Sequence, residues 1–177
     1  TPRGYRGLEV YILSKKLLCE IVDECTAKDQ FSWRKELQAR KDSLYLRSYI
    51  WEGFAAQIRS VQEYYDRSMQ LLDPAIRKEL FEPSRPIMAK NSDTSSTYVA
   101  PDGCCVNSLV GDGCSIAGRV ENSILFPGVT VGEGAVVRNC ILFKDTVVGD
   151  RADLAYVIAD KRVEVMADRI LMGHATY

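Results

Sequence analysis

The sequence predicts an α/β half followed by a solenoid of short parallel strands, and three observations carry that prediction. Between residues 104 and 167 an apolar residue is followed four positions later by a small or β-branched one, and such pairs recur every six residues. They read Cys104/Ser108, Val110/Cys114 and Ile116/Val120, then, after a slip of three residues, Leu125/Val129, Val131/Ala135 and Val137/Ile141. One residue drops out before Leu142/Thr146, Val148/Ala152 and Leu154/Ile158, and three enter before Val163/Ala167. The slip follows every third pair, so one turn holds three hexads. Second, Gly113, Gly128, Gly134 and Gly149, with Asp150, sit between hexads, where tight corners call for such residues. Third, the first 82 residues combine helical periods and capping signals with apolar extended runs.

A six-residue period is neither the two of a flat strand nor the 3.6 of a helix, which excludes a helical bundle for residues 104–177. Each hexad makes one side of a triangular coil, its branched residue inward and its small residue near the corner. Cys104 and Cys114 then act as small apolar groups of the interior. The pattern resembles the left-handed parallel β-helix of hexapeptide-repeat proteins, an exception to the right-handed crossover rule.

In the first half, residues 8–13 (LEVYIL) read as a strand, and Ser14 caps a helix from Lys15 to about Ala27 with Leu17, Leu18, Ile21 and Val22 on its buried stripe. A loop over 28–32 leads to a short helix over 31–38, a strand over 44–51 and a second extended piece over 53–58. Ser60 and Glu63 form a capping box that opens a helix to about Leu72, with Val61, Tyr64, Tyr65, Met69 and Leu72 facing inward. At helical spacing these aromatics read as core rather than as a cofactor box. Asp73 before Pro74 starts one more helix to Phe81. Pro83, Pro86, Pro101 and the polar tract 91–97 mark residues 83–103 as a linker.

A chain of 177 residues with 46% hydrophobic content can bury one or two modest cores. No apolar run approaches 18 residues and no leader pattern is visible, so a membrane span and a signal peptide are not expected. The chain opens at Thr1 without a methionine, and residues 3–7 read like the middle of a longer sequence. Residues 1–90 carry 16 basic against 13 acidic side chains and residues 91–177 carry 7 against 11; neither balance marks a nucleic-acid or membrane surface. Six cysteines without a C-x-x-C spacing point to free thiols in a reducing cytoplasm and away from a structural zinc site.

The order strand, helix, strand, helix, proline-rich linker, hexapeptide coil resembles the C-terminal portion of bacterial ADP-glucose pyrophosphorylase (glucose-1-phosphate adenylyltransferase). The stretches carrying the resemblance are LEVYILSKKLL, SVQEYYDRSMQLLDP, SRPI, NSLVGDGCSIAGRVENSILFPGV and VVGDRADLAYVIADK, which together span nearly the whole chain. The resemblance implies that residues 1–82 are the end of a Rossmann-like nucleotidyltransferase domain, that 83–103 link it onward, and that 104–177 form the left-handed β-helix. It implies a place in glycogen biosynthesis, where ATP and glucose-1-phosphate give ADP-glucose and diphosphate.

Two stations of the family pattern fall within this chain, and both depart from it. Where the family strand begins S-M-G-x-Y, with Ser and Gly approaching the sugar phosphate, this sequence has Gly7, Leu8 and Glu9 before Tyr11. Where the family has W-R-D-V-G-T, whose Asp helps hold the divalent metal, this sequence runs from Ala55 to Ser60 with Gln57 at the Asp position. Glu9 brings an anion toward a phosphate dianion, and Gln57 removes a charge from a Mg²⁺ site that relies on hard anionic oxygens. Glu52 is the nearest carboxylate that could stand in. The family's G-G-x-G-x-R-L phosphate loop and its Glu-Lys pair are absent from these residues. The match is therefore to the non-catalytic, D-type regulatory subunit, with no catalytic residue in this chain and degenerate substrate positions Gly7, Glu9 and Gln57. No cofactor is expected on this chain alone; Mg²⁺ is expected in a catalytic ADP-glucose pyrophosphorylase partner.

Two other readings stay open: a catalytic chain whose active-site loop lies upstream, and a hexapeptide structural or acyltransferase-like protein. An acyltransferase on this fold needs a general base, usually histidine, and a carbonic anhydrase three zinc-binding histidines; His174, near the end, is the only one here. The outer faces of the coil carry Leu109, Ile124, Val136, Val147 and Val157, read as a stripe on successive turns that marks an interface or is covered by the first half of the chain. The resemblance implies a tetramer assembled partly through these domains, as a homo- or hetero-oligomer.

Overall fold

The computed structural model describes residues 7–28, 32–88 and 95–175. The chain forms two compact units, residues 1–55 and 56–177, a division that falls inside the expected 1–82 segment.

In the second unit the chain winds from Tyr98 into a parallel β-solenoid of about four turns with three sheets as its sides. Side one stacks β1 (Tyr98–Val99), β4 (Ser115–Ile116), β7 (Thr130–Val131), β10 (Val147–Val148) and β13 (Glu164–Val165). Side two stacks β2 (Cys104–Val106), β5 (Arg119–Glu121), β8 (Val136–Arg138), β11 (Asp153–Ala155) and β14 (Ile170–Met172). Side three stacks β3 (Leu109–Val110), β6 (Ile124–Leu125), β9 (Ile141–Leu142) and β12 (Ile158–Ala159). The register carries Tyr98 onto Ser115, Ser115 onto Thr130, Thr130 onto Val147 and Val147 onto Glu164, so successive turns advance 17, 15, 17 and 17 residues. In the short turn, Ala117 and Gly118 alone connect β4 to β5. A Cβ on Gly118 would collide with the backbone carbonyls of Gly132 and Ala135, which explains the glycine there.

Three walls of inward side chains fill the coil. Ile116, Val131 and Val148 come from side one, Val120, Val137 and Leu154 from side two, and Leu125 and Leu142 from side three, none more than 2% exposed. Each such residue contributes about 1.5–3 kcal/mol relative to exposure, before entropy. The hexad register is off at six of its positions. Val120, expected at a corner, is an inward residue of side two, and the corner position belongs to Ser123. Cys105, not Cys104, pairs with Val120 on the inward side. Ile141 and Ile158 sit on the strands of side three next to the inward Leu142 and Ala159, and the corner positions expected for them belong to Cys140 and Val157. Val163 is a corner residue partly packed on the core, the inward strand residue being Val165, and Ala167 is exposed.

The misplacement has a physical cause, because the corners between sides two and three are held by hydrogen bonds rather than by size alone. Ser108 Oγ accepts from the Ser123 amide (3.1 Å), Ser123 Oγ from the Cys140 amide (3.0 Å) and Cys140 Sγ from the Val157 amide (3.5 Å). The residue that precedes each corner position is left-handed: Asn107, Asn122, Asn139 and Tyr156 have φ of 43°, 44°, 53° and 57°. Asparagine tolerates that conformation, and Asn107 Nδ2 donates to Asn122 Oδ1 at 2.8 Å. Of the expected corner residues, Gly113, Gly128 and Gly134 have positive φ; Gly149 and Asp150 do not, and Arg151 takes that role at 56°.

The linker is shorter than the expected 83–103. Thr97 Oγ1 donates to the Gly111 carbonyl (2.7 Å) and accepts from the Cys114 amide (3.2 Å), and β1 follows at once as a strand of the solenoid. Ahead of it lie α3 (Val61–Gln70) and α4 (Pro74–Leu80). Ser60 Oγ accepts from the Glu63 amide (3.1 Å), as the capping box predicts, while the Glu63 carboxylate reaches one residue further back, to the Arg59 amide (2.7 Å). Asp73 caps α4 through the Ala75 amide (2.8 Å) with Pro74 in the first turn.

The first unit holds α1 (Lys15–Lys28), capped by Ser14 through the Leu17 amide (3.3 Å), and α2 (Trp33–Ala39). Among its described residues the buried apolar ones are Ile21 and Cys25, while Leu18 is exposed. The strands expected over 8–13 and 44–51 and the extended run over 53–58 form no sheet among the described residues. Most of their apolar side chains stand in solvent, Ile12 fully and Tyr49 at 86%, while Leu13, Leu44 and Phe54 are half-buried. A strand needs neighbours for its backbone groups and apolar faces, and the described residues supply none here. Phe31, expected to open α2, and residues 91–94 of the polar tract lie outside the described residues.

Candidate functional site

In the first unit, Glu9 lies on backbone with φ 59°, the left-handed region that glycine occupies without penalty. Its side chain lines an open cleft of about 570 Å³ with Tyr11, Leu13, Leu18, Ser32, Trp33 and Arg34. Aromatic and aliphatic walls carry one carboxylate (Glu9), one hydroxyl (Ser32) and one guanidinium (Arg34) into this cleft. Gly7 is exposed at the edge of the described residues.

Gln57 belongs to the second unit, and the two stations are placed in different units. Its amide oxygen accepts from Arg59 Nη2 at 2.7 Å. A divalent cation does not fit there: the oxygen is neutral and already faces a guanidinium charge. Among the described residues no three His, Cys, Asp or Glu side chains gather as ligands for a metal. Glu52, the nearby carboxylate in sequence, is exposed and lies in the first unit.

The five interface residues do not share one face. Leu109 and Ile124 are neighbours on side three, Val136 lies on side two and Val147 on side one, while Val157 turns inward against the core. The apolar column on side three is instead Leu109, Ile124, Ile141 and Ile158. Part of it is covered within the unit by α3. The Tyr65 hydroxyl donates to the Asn139 carbonyl at 2.8 Å, the Tyr65 and Tyr156 rings meet at 6.5 Å, and Tyr64 stacks on Phe143 at 6.1 Å. Ile141, between those contacts, is fully buried. Burial pushes the Tyr65 hydroxyl up to about 12, helped by the neighbouring Cys140, Tyr156 and Asp66 groups. Burial likewise raises the Cys140 thiol to about 11, against the pull of its backbone hydrogen bonds, so this thiol is a structural acceptor and a poor nucleophile. His174 is exposed beside Val61, Gln62 and Tyr156, and among the described residues no carboxylate or second histidine lines the same small recess.

The sequence reading missed the corner ladder and the α3 clamp. The first was visible as the recurring Asn107-Ser108, Asn122-Ser123 and Asn139-Cys140 dipeptides. The second was not, because nothing in the helix names the carbonyl its tyrosine will reach.

A family model described as "GlmU-like, C-terminal hexapeptide" matches residues 92–175. The chain is 35% identical over 160 residues to the Bacillus subtilis (strain 168) "Glycogen biosynthesis protein GlgD", covering 90% of this chain and 47% of that protein. It is 30% identical over 163 residues to the Acetivibrio thermocellus "Glucose-1-phosphate adenylyltransferase", covering 90% of this chain and 38% of that one. The Geobacillus stearothermophilus GlgD protein is 38% identical over 132 residues, 75% of this chain and 38% of the relative. The chain spans less than half the length of these curated relatives. By fold and family model, residues 92–175 are a hexapeptide-repeat β-solenoid. Within that class the chain is GlgD-like, related to glycogen biosynthesis proteins and to glucose-1-phosphate adenylyltransferases. Among the described residues, no helix is long and apolar enough to cross a membrane.

Proposed function

We propose that this chain is part of a regulatory, non-catalytic subunit of glucose-1-phosphate adenylyltransferase, acting in the cytoplasm beside a catalytic subunit that carries Mg²⁺ and makes ADP-glucose. The observation that carries the reading is Glu9. The family pattern has a glycine at this position, and the backbone is left-handed, as a glycine would allow. A bulky anion thus stands on a frame built for a residue without a side chain, where it repels phosphate. Gln57 supports the same reading, since its amide is engaged by Arg59 and offers no anionic oxygen.

The solenoid is read as left-handed, after the hexapeptide pattern. Residues 8–13 and 44–51 are read as strands of a Rossmann-like nucleotidyltransferase sheet, which accounts for the exposure of Val10, Ile12, Tyr45 and Tyr49. Assembly into a hetero-oligomer, a tetramer by family resemblance, follows from the need for a catalytic partner. Purified chain incubated with ATP, glucose-1-phosphate and Mg²⁺ is expected to release no pyrophosphate above a mock control. Added to a catalytic glucose-1-phosphate adenylyltransferase, it is expected to co-purify and to change the activator response. Pyrophosphate release by the chain alone would overturn the reading, as would failure to bind or alter the catalytic subunit.

A further inference from the structure

The chain leaves the last turn of the solenoid in a direction that brings it back to α3. After β14, the Gly173 amide donates to the Ala155 carbonyl at 2.8 Å. A Cβ on Gly173 would stand 2.5 Å from the Tyr156 carbonyl oxygen, so this close approach calls for glycine. Two residues on, the Ala175 carbonyl accepts from Gln62 Nε2 at 3.1 Å, a contact across 113 positions of sequence. His174, between them, lines a small recess with Val61, Gln62, Tyr65, Tyr156 and Ile158. Residues 173–175 thus run from the corner after side two to the first turn of α3.

The hold on Gln62 is uneven. Its Nε2 also donates to Asp66 Oδ1 at 2.8 Å, and because both partners are acceptors the amide has one orientation. Its Oε1 is then turned away, buried and without a donor among the described residues. A buried acceptor left unpaired costs free energy in the docked state, and α3 itself has no fully buried residue. The last turn is no firmer. Its strand β14 pairs only with β11, at the end of its sheet, and Ile170, Leu171 and Met172 are 70%, 41% and 52% exposed.

We propose that residues 173–175 are a releasable strap, which locks α3 on side three only while the last turn is formed, so that α3 and β14 open and close as one unit. When β14 leaves β11, Gly173 loses the Ala155 carbonyl and Ala175 withdraws its acceptor from Gln62. The helix then keeps the Tyr65 hydroxyl bond and the ring contacts of Tyr64 and Tyr65 but loses its tie to the last turn. Local openings group into cooperative units whose free energies lie below that of global unfolding. The first helix after the chain enters the second unit is α3, so an event that orders or loosens the last turn reaches that entry point by contact, not along the sequence. The device does not depend on the chain having a catalytic partner, and the two readings fail separately.

The test is amide hydrogen exchange on the full chain, read by mass spectrometry in α3, β14, β1 and β8. Leu171→Ala strips an apolar side chain from the last turn, Gly173→Ala displaces the strap and Gln62→Ala removes its anchor. Val99→Ala is the control, since Val99 is 45% exposed in β1, an end strand at the opposite end of the coil. Leu171→Ala and Gly173→Ala are each expected to lower protection about fivefold or more in both β14 and α3. Gln62→Ala is expected to lower it in β14 as well as in α3, because coupling runs both ways. Val99→Ala is expected to lower protection in β1 and to leave α3 within about twofold of the native chain. Unchanged protection of β8 in all four variants checks that the solenoid is folded. Unchanged protection of α3 in Leu171→Ala or Gly173→Ala overturns the proposal, as does unchanged protection of β14 in Gln62→Ala. So does a Val99→Ala chain in which α3 loosens as much as in Leu171→Ala.

Discussion

The solenoid and the first unit both carry apolar runs, yet only one of them covers what it exposes. In the solenoid, Ile116, Val137, Leu142 and Leu154 are sealed by the turns above and below, and the corner amides find acceptors in Ser108, Ser123 and Cys140. In the first unit, the described apolar residues Val10, Ile12, Tyr45 and Tyr49 have no cover, and the runs that carry them form no sheet. A repeat satisfies each segment with its sequence neighbours, about 17 residues away. The apolar runs of the first unit have no such repeat beside them, and among the described residues nothing pairs with them.

The sharpest way to break that comparison is to spoil one turn. Val137 is fully buried between Val120 and Leu154 in the stacked register. Val137→Asp places an unpaired carboxylate among apolar walls, at a cost of about 5 kcal/mol or more. The expected outcome is loss of soluble, cooperatively melting protein, measured by expression and thermal denaturation. The equivalent change at Ile12, already in solvent, is expected to move the melting temperature hardly at all. A soluble Val137→Asp chain with native melting would show that the turns are not stacked as described.

This asymmetry also sets how much could be read in advance. Three hexads per turn, and seven inward residues from Ile116 to Leu154, were legible because a solenoid writes its core into a local period. The positions that slipped, Cys104, Ile141 and Ile158 among them, lie where a corner is decided by a side chain accepting a backbone bond from the next turn, which a hydrophobic pattern does not record. The strands of the first unit were read from apolar runs whose partners are not among the described residues, and the run alone cannot make a sheet. For the candidate site, the residues at positions 9 and 57 were legible from the family pattern, but the left-handed backbone under Glu9 and the Arg59 contact of Gln57 needed coordinates.

A smaller effect is expected where α3 clamps the solenoid. Tyr65→Phe removes the bond to the Asn139 carbonyl and is expected to cost about 1 kcal/mol at pH 8. The hydroxyl titrates at about 12 in the fold and at 10.0 in its ordinary state. The folded chain therefore holds this proton more tightly. Its contribution is fully present below pH 10 and is lost as pH rises through 12. Urea denaturation at pH 8 and pH 11 should show the gap between native and variant chains narrowing at the higher pH. A constant gap would place the stabilising contact elsewhere than on the hydroxyl proton.

The smallest effect is expected in the first unit, and it has the opposite sign. Glu9 holds a left-handed conformation that costs a residue with a side chain about 1 kcal/mol relative to glycine. Glycine also loses more chain entropy on folding, which takes back part of that gain. Glu9→Gly is therefore expected to stabilise the local structure by about 0.5 kcal/mol, read as roughly a twofold rise in amide-exchange protection of the neighbouring α1 helix. The solenoid amides, in the other unit, should be unchanged. If the substitution lowers protection in α1, the Glu9 side chain is holding the cleft with Tyr11 and Trp33 together, and the position is an adapted contact rather than a glycine site that has lost its glycine.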